Sequence, residues 1–442
     1  MARFDHVILT AANEAQARGY RAQIDWRLKQ GVLDAATRYH VVADPGGRRV
    51  GSLGATLGVL RHLADQLIAE RPAKNFEELF ADQRVLICHS GGDSRRLPAY
   101  AAQGKIFVPL PTSRRGQPAA LFDLILDNVE KLPVPSQGQV LIYTGDVLLT
   151  FDPNAVDFEL PGAGVVGVAY PGSLDVGSRH GVYVSGSGTA NERTIPVRDF
   201  LQKPDEAEAR AAGAVDPVNR VLIDTGILSL DPKTTEKMLK YAGLSPRGRR
   251  VIADRRGVLA DLEAGRSRGL DLYEEFTMAM PEAMTAARYD REVIGPNADT
   301  AHRRRLTALY RAMRGCKFAV NVLPWCDFFH IGSSREFLVN IATLNRTAQT
   351  YGFAPLHGAA VCDGVALEGS FIYDSVLDHR RIRAAGQTLI EACDVDVPLQ
   401  LDGGNILVGL PAMRGHSSGP AGLAGFAVRL RKGLGLVVLP VG

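Results

Sequence analysis

Cysteine is scarce in this chain and badly placed for structural use. The five cysteines among 442 residues (Cys88, Cys316, Cys326, Cys362 and Cys393) are odd in number, far apart and mostly inside apolar runs. No C-x-x-C pair occurs, so neither a zinc site nor a disulfide framework is indicated. Charge of one sign is also lacking: 51 Lys and Arg against 48 Asp and Glu give +3. That balance gives no case for a nucleic-acid or membrane partner. Arginine does cluster, at Arg247, Arg249 and Arg250 and again at Arg303, Arg304 and Arg305, but no aromatics are interleaved. Solvated basic faces account for both clusters better than a polyanion groove. No apolar run approaches transmembrane length, and Met1-Ala2-Arg3-Phe4-Asp5-His6 lacks the apolar stretch of a signal peptide. A reducing cytoplasm is the expected location.

What is present is an ordinary globular composition, 46% hydrophobic and 22% charged. The chain is too long for one core, so two domains are expected. The stretch that organises it is Cys88-His89-Ser90-Gly91-Gly92-Asp93-Ser94-Arg95-Arg96-Leu97-Pro98, with Gly104-Lys105 just beyond. The apolar run Arg84–Cys88 leads into two glycines, a small hydroxyl, two arginines and a lysine. That order predicts a buried strand ending in a turn whose N–H groups and cations meet an anion. An ordinary glycine turn with exposed basic residues is the plain alternative.

Before this stretch, Asn13 is placed to cap a helix running to about Lys29, with Ala17, Tyr20, Ile24 and Leu28 on one side. A second glycine turn, Gly51-Ser52-Leu53-Gly54-Ala55-Thr56, opens a helix through about Glu70. It offers a second place for an anion or a base edge, or else close helix packing. After the stretch, the prolines of Ile106–Pro111 argue against a central strand there. A helix is predicted from Pro118 to Leu132. Gln139–Thr144 then reads as a buried strand ending at Gly145-Asp146. Strand–helix–strand order predicts a mostly parallel α/β sheet, with ligands at the strands' carboxyl ends, where Arg96 and Asp146 would sit. A later apolar run, Val221–Ile223, is expected to stop at Asp224-Thr225-Gly226. From about Phe353 short apolar pairs recur between turn residues, from Val361 and Val365 through Phe371, Val376, Leu389 and Val395 to Leu401. The pattern is that of a β-helix, with a β-sandwich as the alternative. The boundary is expected near residue 350, giving domains 1–350 and 351–442.

Taken together these motifs resemble the L-fucose-1-phosphate guanylyltransferases, including the N-terminal half of the bifunctional fucokinase/guanylyltransferases. The residues that carry the resemblance are Leu9–Asn13, Asp44-Pro45-Gly46, Gly51–Thr56, Ser90–Tyr100, Gly104-Lys105, Arg115-Gly116-Gln117, Thr144–Val147, His180-Gly181-Val182, Gln202-Lys203-Pro204, Asp224-Thr225-Gly226 and Phe329–Glu336. The resemblance implies a Rossmann-like nucleotidyltransferase domain with a mixed, mostly parallel sheet, followed by a smaller β-helix domain. It also implies a reaction: GMP passes from GTP to a sugar 1-phosphate, foremost β-L-fucose 1-phosphate, and pyrophosphate leaves. Such chemistry rests on positioning and charge neutralisation. Ser90, Gly91, Gly92, Ser94, Gly51, Gly54, Gln117 and Gly145 would then bind nucleotide. Arg96 would neutralise the departing pyrophosphate, Lys105 the α-phosphate and Lys203 the incoming sugar phosphate. His180, Gly181, Asp224, Thr225 and Gly226 would bind the sugar, with Tyr273 and Glu274 as weaker candidates. Asp146 would hold Mg2+, since a hard ion takes carboxylate oxygen.

Two departures stand out. Leu53 occupies a position where relatives usually have glycine. His330 stands where the wider superfamily has a second metal-binding aspartate, and imidazole is a poor magnesium ligand. The second ligand is therefore left open between Asp327 and His330. Ser417–Leu423 faintly resembles a kinase phosphate loop, but little chain follows it, and no kinase activity is expected. Self-association is expected, if anywhere, through the C-terminal strands. The other readings are the same reaction with another sugar or nucleotide, and a silent homologue that binds nucleotide sugars.

Overall fold

The computed structural model describes residues 3–442 except 93, 102, 116, 160–163, 186–193, 348–353, 356–370, 374, 378–381, 385–386, 397–398, 411–412, 415–427, 431–434 and 438–442. The boundary near residue 350, Val361, Val365–Leu367 and Ser417–Leu423 fall outside the described residues. The chain folds into two compact units. One comprises Met1–Gly92, Leu126–Gly145 and Leu149–Phe328; the other comprises Asp93–Ile125, Asp146–Leu148 and Phe329–Gly442.

The first unit is built on a nine-stranded sheet. In chain order its strands are β1 (His6–Ala11), β2 (Arg38–Ala43), β3 (Arg84–His89), β4 (Gln139–Thr144), β5 (Val165–Ser173), β6 (Gly181–Ser185), β7 (Thr194–Gln202), β8 (Arg220–Leu230) and β9 (Phe318–Val322). Their spatial order is β2-β1-β3-β4-β8-β5-β9-β7-β6, and β8 also pairs with β6. Strands β2, β1, β3 and β4 are parallel, joined by helices as the sequence predicts. Helix α1 (Glu14–Lys29) starts where Asn13 accepts the Gln16 N–H, a cap that contributes about 1 kcal/mol. Helix α2 (Gly51–Glu70) buries Leu57, Leu60 and Leu63 completely in the main core. Burying each such leucine is worth roughly 1.5–3 kcal/mol.

The expectation of a mostly parallel sheet fails beyond β4. Strand β8 runs antiparallel to β4, β5 and β6, and β7 runs antiparallel to β9 and β6; only β9 and β5 are parallel there. The reason is that an apolar run buried on both faces reads the same in either direction, so its polarity is invisible in the sequence. Nor does β8 stop at Asp224. It continues to Leu230 through a bulge between Asp224 and Leu228, where Gly226 adopts φ 78°. That left-handed geometry costs glycine nothing and lets the strand bend without ending.

In the second unit the prolines of residues 109 and 111 do not prevent pairing. Pro109–Arg114 is the middle strand of three, flanked by Gln117–Ala120 and Ala354–Pro355. Its ladder to Gln117–Ala120 is interrupted between Pro109 and Ser113, which takes in Pro111, while Pro109 pairs at the strand's first position. Because residues 117–120 are taken by this strand, helix α3 (Leu121–Val129) begins at Leu121 and not Pro118. The buried Asp123 carboxylate accepts the Ala120 N–H at 2.7 Å. Helix α4 spans Ser334–Thr347.

Beyond Pro355 the described strands fall into three parallel ladders. Phe371–Tyr373, Thr388–Glu391, Asn405–Val408 and Gly435–Val437 form the first. Val376–Leu377, Asp394–Asp396 and Met413–Arg414 form the second. Ile382–Ala384, Leu399–Leu401 and Val428–Leu430 form the third. Leu389, Ile390, Val395, Leu399, Leu401 and Leu407 are buried, so these apolar positions of the sequence pattern face inward, whereas Val376 is 63% exposed.

Candidate active site

In the second unit, charge gathers around Asp146. Lys105 begins a single helical turn behind Gly104, and its Nζ lies 3.1 Å from Asp146 Oδ2. His330 Nε2 lies 3.6 Å from the same oxygen, and His330 Nδ1 lies 3.5 Å from Glu336 Oε1. The two segments are joined by backbone as well, with Ile331 N–H donating to Asp146 O at 2.7 Å. Asn340, on α4, donates to His330 O at 2.7 Å. Burial alone would raise the Asp146 pKa. The contacts of His330 and Lys105 outweigh it and hold the carboxyl at about 2. Reciprocally, the Asp146 contact raises the His330 pKa above its usual value, with burial opposing and Glu336 adding to the rise. The contact thus favours protonation of the imidazole, and a protonated imidazole has no lone pair for a metal.

Glu336 was missed by the sequence reading. Its signal was present in the Ser333…Glu336 spacing of a helix start: Ser333 Oγ donates to Glu336 Oε2 at 2.9 Å and accepts the Glu336 N–H at 3.3 Å. Gly332 makes room for the pair, since a Cβ there would lie 2.3 Å from His330 Cε1.

Arg96 is exposed, and among the described residues its guanidinium has no partner; its carbonyl accepts the Ser334 N–H at 2.8 Å. Ser94 is buried with φ 49° and its carbonyl accepts the Leu97 N–H, so it shapes the turn leading to Arg96. Gln117 lies half-buried opposite Arg114.

In the first unit, the loop after β3 is more firmly tied than an open anion turn. Thr10 Oγ1 accepts the N–H groups of Ser90 at 3.0 Å and Gly91 at 3.2 Å, and Ser90 Oγ donates to Thr10 O at 2.7 Å. Tyr20 Oη donates to Ser90 O, and Gln16 Nε2 to Gly92 O. A Cβ on Gly91 would lie 3.2 Å from the Ala11 carbonyl carbon, whereas Gly92 has open space. Gly145 is pinned beside them, its N–H donating to His89 O at 2.9 Å.

His89, part of the organising stretch, carries no role in the sequence analysis. Thr56 Oγ1 donates to Ser52 O, so it accepts from His89 Nε2–H at 2.9 Å. Burial lowers the His89 pKa to about 4, which keeps the ring neutral.

Gly51 and Gly54 have packing reasons. A Cβ on Gly51 would lie 2.2 Å from Leu270 O, and one on Gly54 would lie 2.9 Å from Val50 Cβ. Leu53, the departure from the family pattern, is fully buried on α2.

The bulge of β8 carries the remaining group. Asp224 Oδ1 accepts Tyr183 Oη–H at 3.1 Å and the Gly226 N–H at 3.0 Å, and Gly226 O accepts Tyr273 Oη–H at 3.2 Å. Thr225 is buried, its hydroxyl donating to Val168 O at 2.7 Å. Gly181 lies against Phe200 and Asp224, where a Cβ would come within 2.4 Å of Phe200 Cζ. His180 O accepts the Lys203 N–H at 3.1 Å. Lys203 has φ 50°, and its exposed ammonium has no partner among the described residues. Asp327 is exposed and belongs to this unit, whereas Asp146 and His330 belong to the other.

Burial pushes the Asp224 pKa from 3.8 up to about 6, against the pull of its two hydrogen bonds. The folded state therefore loses stability as pH rises from about 4 through about 6, because the buried carboxyl must ionise. A shift of this size is worth up to about 3 kcal/mol. In Asp224→Asn, Asn Oδ1 keeps both hydrogen bonds. Denaturant unfolding is expected to show no such decline, leaving the variant more stable than the natural protein at pH 7 and equal to it near pH 3. An ionisable group retained at this cost fits a binding role.

The fucose pyrophosphorylase domain model matches residues 77–433. The chain belongs to this family. It is 33% identical over 246 residues to the bifunctional fucokinase/GDP-fucose pyrophosphorylase of Arabidopsis thaliana, covering 51% of this chain and 23% of that protein. It is 27% identical over 408 residues to the human fucose-1-phosphate guanylyltransferase, covering 87% of this chain and 63% of that protein. The chain thus spans less than two thirds of either relative. Among solved structures, UDP-glucose pyrophosphorylase complexed with UDP-glucose superposes with a TM-score of 0.31 at 8% identity, covering 78% of this chain and all of that one. No helix among the described residues is long and apolar enough to cross a membrane.

Proposed function

We propose that this chain transfers GMP from GTP to β-L-fucose 1-phosphate, releasing pyrophosphate. Family membership and the names of the relatives support the substrates. The observation that carries the reading is the Asp146 cluster, a carboxylate held ionised by a lysine and a histidine, in the same unit as Arg96. Nucleotidyl transfer has this requirement: charge moves onto pyrophosphate as the sugar-phosphate oxygen attacks the α-phosphorus in line, and fixed cations lower that barrier. Lys105 would neutralise the α-phosphate oxygens, and Arg96 the departing pyrophosphate. In the other unit Gly92 would admit the nucleotide's backbone-side approach, Lys203 would hold the sugar phosphate, and Asp224 would accept from a sugar hydroxyl.

Mg2+ belongs to the same proposal. No group of three or more His, Cys, Asp or Glu side chains among the described residues is gathered to hold a metal. The donor chemistry nonetheless suits an ion that arrives with phosphates, which takes one or two carboxylates and completes its shell from substrate and water. Lys105 and His330 both contact Asp146 Oδ2, and Asp146 would be the carboxylate that holds that ion. When bound it would polarise phosphate oxygens. His330, 3.6 Å from Asp146 Oδ2, would orient that carboxylate.

We also read the three parallel ladders of residues 371–437 as the faces of a β-helix. The support is that all of their pairings are parallel and that each turn of chain visits the three in the same order. The function is tested by incubating the protein with Mg2+, each of GTP, ATP and UTP, and a panel of sugar 1-phosphates. Pyrophosphate is expected with GTP and fucose 1-phosphate. No release with any pair would refute the assignment.

A further inference from the structure

Tyr100 closes the Ser90–Tyr100 motif, yet its side chain takes no part in the site described above. Arg96 precedes it by four residues and Lys105 follows it by five. The described residues between Ser94 and Phe107 make a succession of turns. Leu97 N–H donates to Ser94 O at 2.8 Å, Tyr100 N–H to Leu97 O at 3.2 Å, Gly104 N–H to Tyr100 O at 2.9 Å and Phe107 N–H to Gly104 O at 3.2 Å. Short turns have no ladder or long helix to hold them, so the position of such a segment depends on what its side chains and free carbonyls are tied to.

One tie is the Ser334 N–H at the start of α4, which donates to Arg96 O at 2.8 Å. Another is the Tyr100 side chain. It is 1% exposed, its ring stands edge-on to Phe337 of α4 with centroids 5.4 Å apart, and its hydroxyl donates to Glu391 Oε2. Glu391 ends the strand Thr388–Glu391, where it is paired with Tyr373 on one side and Val408 on the other. Gly409 N–H also donates to its carbonyl at 3.0 Å. A residue held on both sides by a ladder is a fixed acceptor. Burial and the facing carboxylate push the Tyr100 pKa well above its usual value, so the phenol keeps the proton it donates. Hydrogen bonds between a phenol and a carboxylate are stronger than those between neutral groups.

We propose that Glu391 is a positioning residue for nucleotidyl transfer: through the Tyr100 hydroxyl, the C-terminal strand ladders hold the turn segment that places Lys105 against Asp146. The inference rests on the function proposed above and gives those ladders a part in it. Lys105 Nζ lies 3.1 Å from Asp146 Oδ2, and a preorganised charge lowers the barrier only while it stays in place. Loosening the segment therefore costs turnover. Tyr100 is too buried to touch substrate, so the effect falls on kcat and spares the KM for the sugar phosphate.

The test compares the full chain with Tyr100→Phe, Glu391→Ala, Glu391→Gln and the pair Tyr100→Phe/Glu391→Ala, by pyrophosphate release and by denaturant unfolding. Tyr100→Phe keeps the packing on Phe337 and removes only the hydroxyl. It and Glu391→Ala are each expected to lower kcat about tenfold, with the KM for fucose 1-phosphate within about twofold. The double variant is expected to be no worse than either single one. Glu391→Gln, whose amide oxygen can still accept the hydroxyl, is expected to restore most of the loss. Val395→Ala, in the buried core of the same ladders, is the stability control: it is expected to lower the unfolding midpoint and keep kcat within about twofold. Should Glu391→Ala fail to fold, Tyr100→Phe and Glu391→Gln carry the comparison. Natural kcat in Tyr100→Phe, additive losses in the double variant, or a kcat in Val395→Ala that falls in step with its stability would each overturn the inference while leaving the guanylyltransferase reading in place. A natural protein that releases no pyrophosphate would refute that reading and the inference with it.

Discussion

Asp146→Ala is expected to lower kcat for pyrophosphate release by about 10³-fold while the KM for GTP changes little. The carboxylate is where the charges of the second unit converge. Lys105 Nζ at 3.1 Å and His330 Nε2 at 3.6 Å both rest on Oδ2. Without it Lys105 and His330 are left facing each other, and the site loses its anchor for a phosphate-bound divalent ion. Nucleotide affinity need not fall, because removing a negative charge eases the approach of a polyanion. A second readout separates this role from a structural one. Asp146 is the largest cause of the raised His330 pKa, so its removal is expected to move the His330 titration down, as followed by NMR of the ring protons. Activity within tenfold of the natural protein would show that Asp146 has no part in the chemistry.

Lys105→Met is expected to lower kcat by about 10²–10³-fold, the cost of removing one preorganised charge from a developing oxyanion. The side chain is 17% exposed, so its ammonium acts in a setting less screened than bulk water. Lys105→Arg is expected to rescue little, because a planar fork cannot replace a compact ammonium that lies 3.1 Å from one carboxylate oxygen. With Lys105 gone, Asp146 loses one of the groups that hold its carboxyl at about 2, so the pH at which residual activity is lost is expected to move upward. Full activity in the arginine variant would mean that charge alone matters at this position.

How much of this was legible in the sequence depended on how local the cause was. Asn13, the periodicity of α2 and the strand leading to Gly145 were readable because each rests on contacts within a few residues. The direction of β8 was not, because an apolar run such as Val221–Ile223 fits a parallel or an antiparallel neighbour equally well. The strand Gln117–Ala120 was read as a helix start because Pro118 suits a first turn, and only the pairing with Pro109–Arg114 decides against it.

The candidate site divides in the same way. Lys105, Asp146 and His330 were marked by motif order, and the structure brings all three within one cluster. Their arrangement was hidden. The His330–Glu336 contact depends on Gly332 making room for it, and the role of Thr10 in holding Ser90 and Gly91 joins residues 80 and 81 positions apart. Thr225 carried a motif but spends its hydroxyl on Val168, and Gly51 and Gly54 are explained by packing.

The most direct measurement follows the oxygen that makes the new bond. Fucose 1-phosphate labelled with 18O in its non-bridging phosphate oxygens is incubated with GTP and Mg2+, and the products are weighed by mass spectrometry. Attack of the sugar phosphate on the α-phosphorus requires all of the label to appear in GDP-fucose and none in pyrophosphate, with one pyrophosphate formed per nucleotide sugar. Label in pyrophosphate, or GTP consumed with no labelled nucleotide sugar formed, would contradict it.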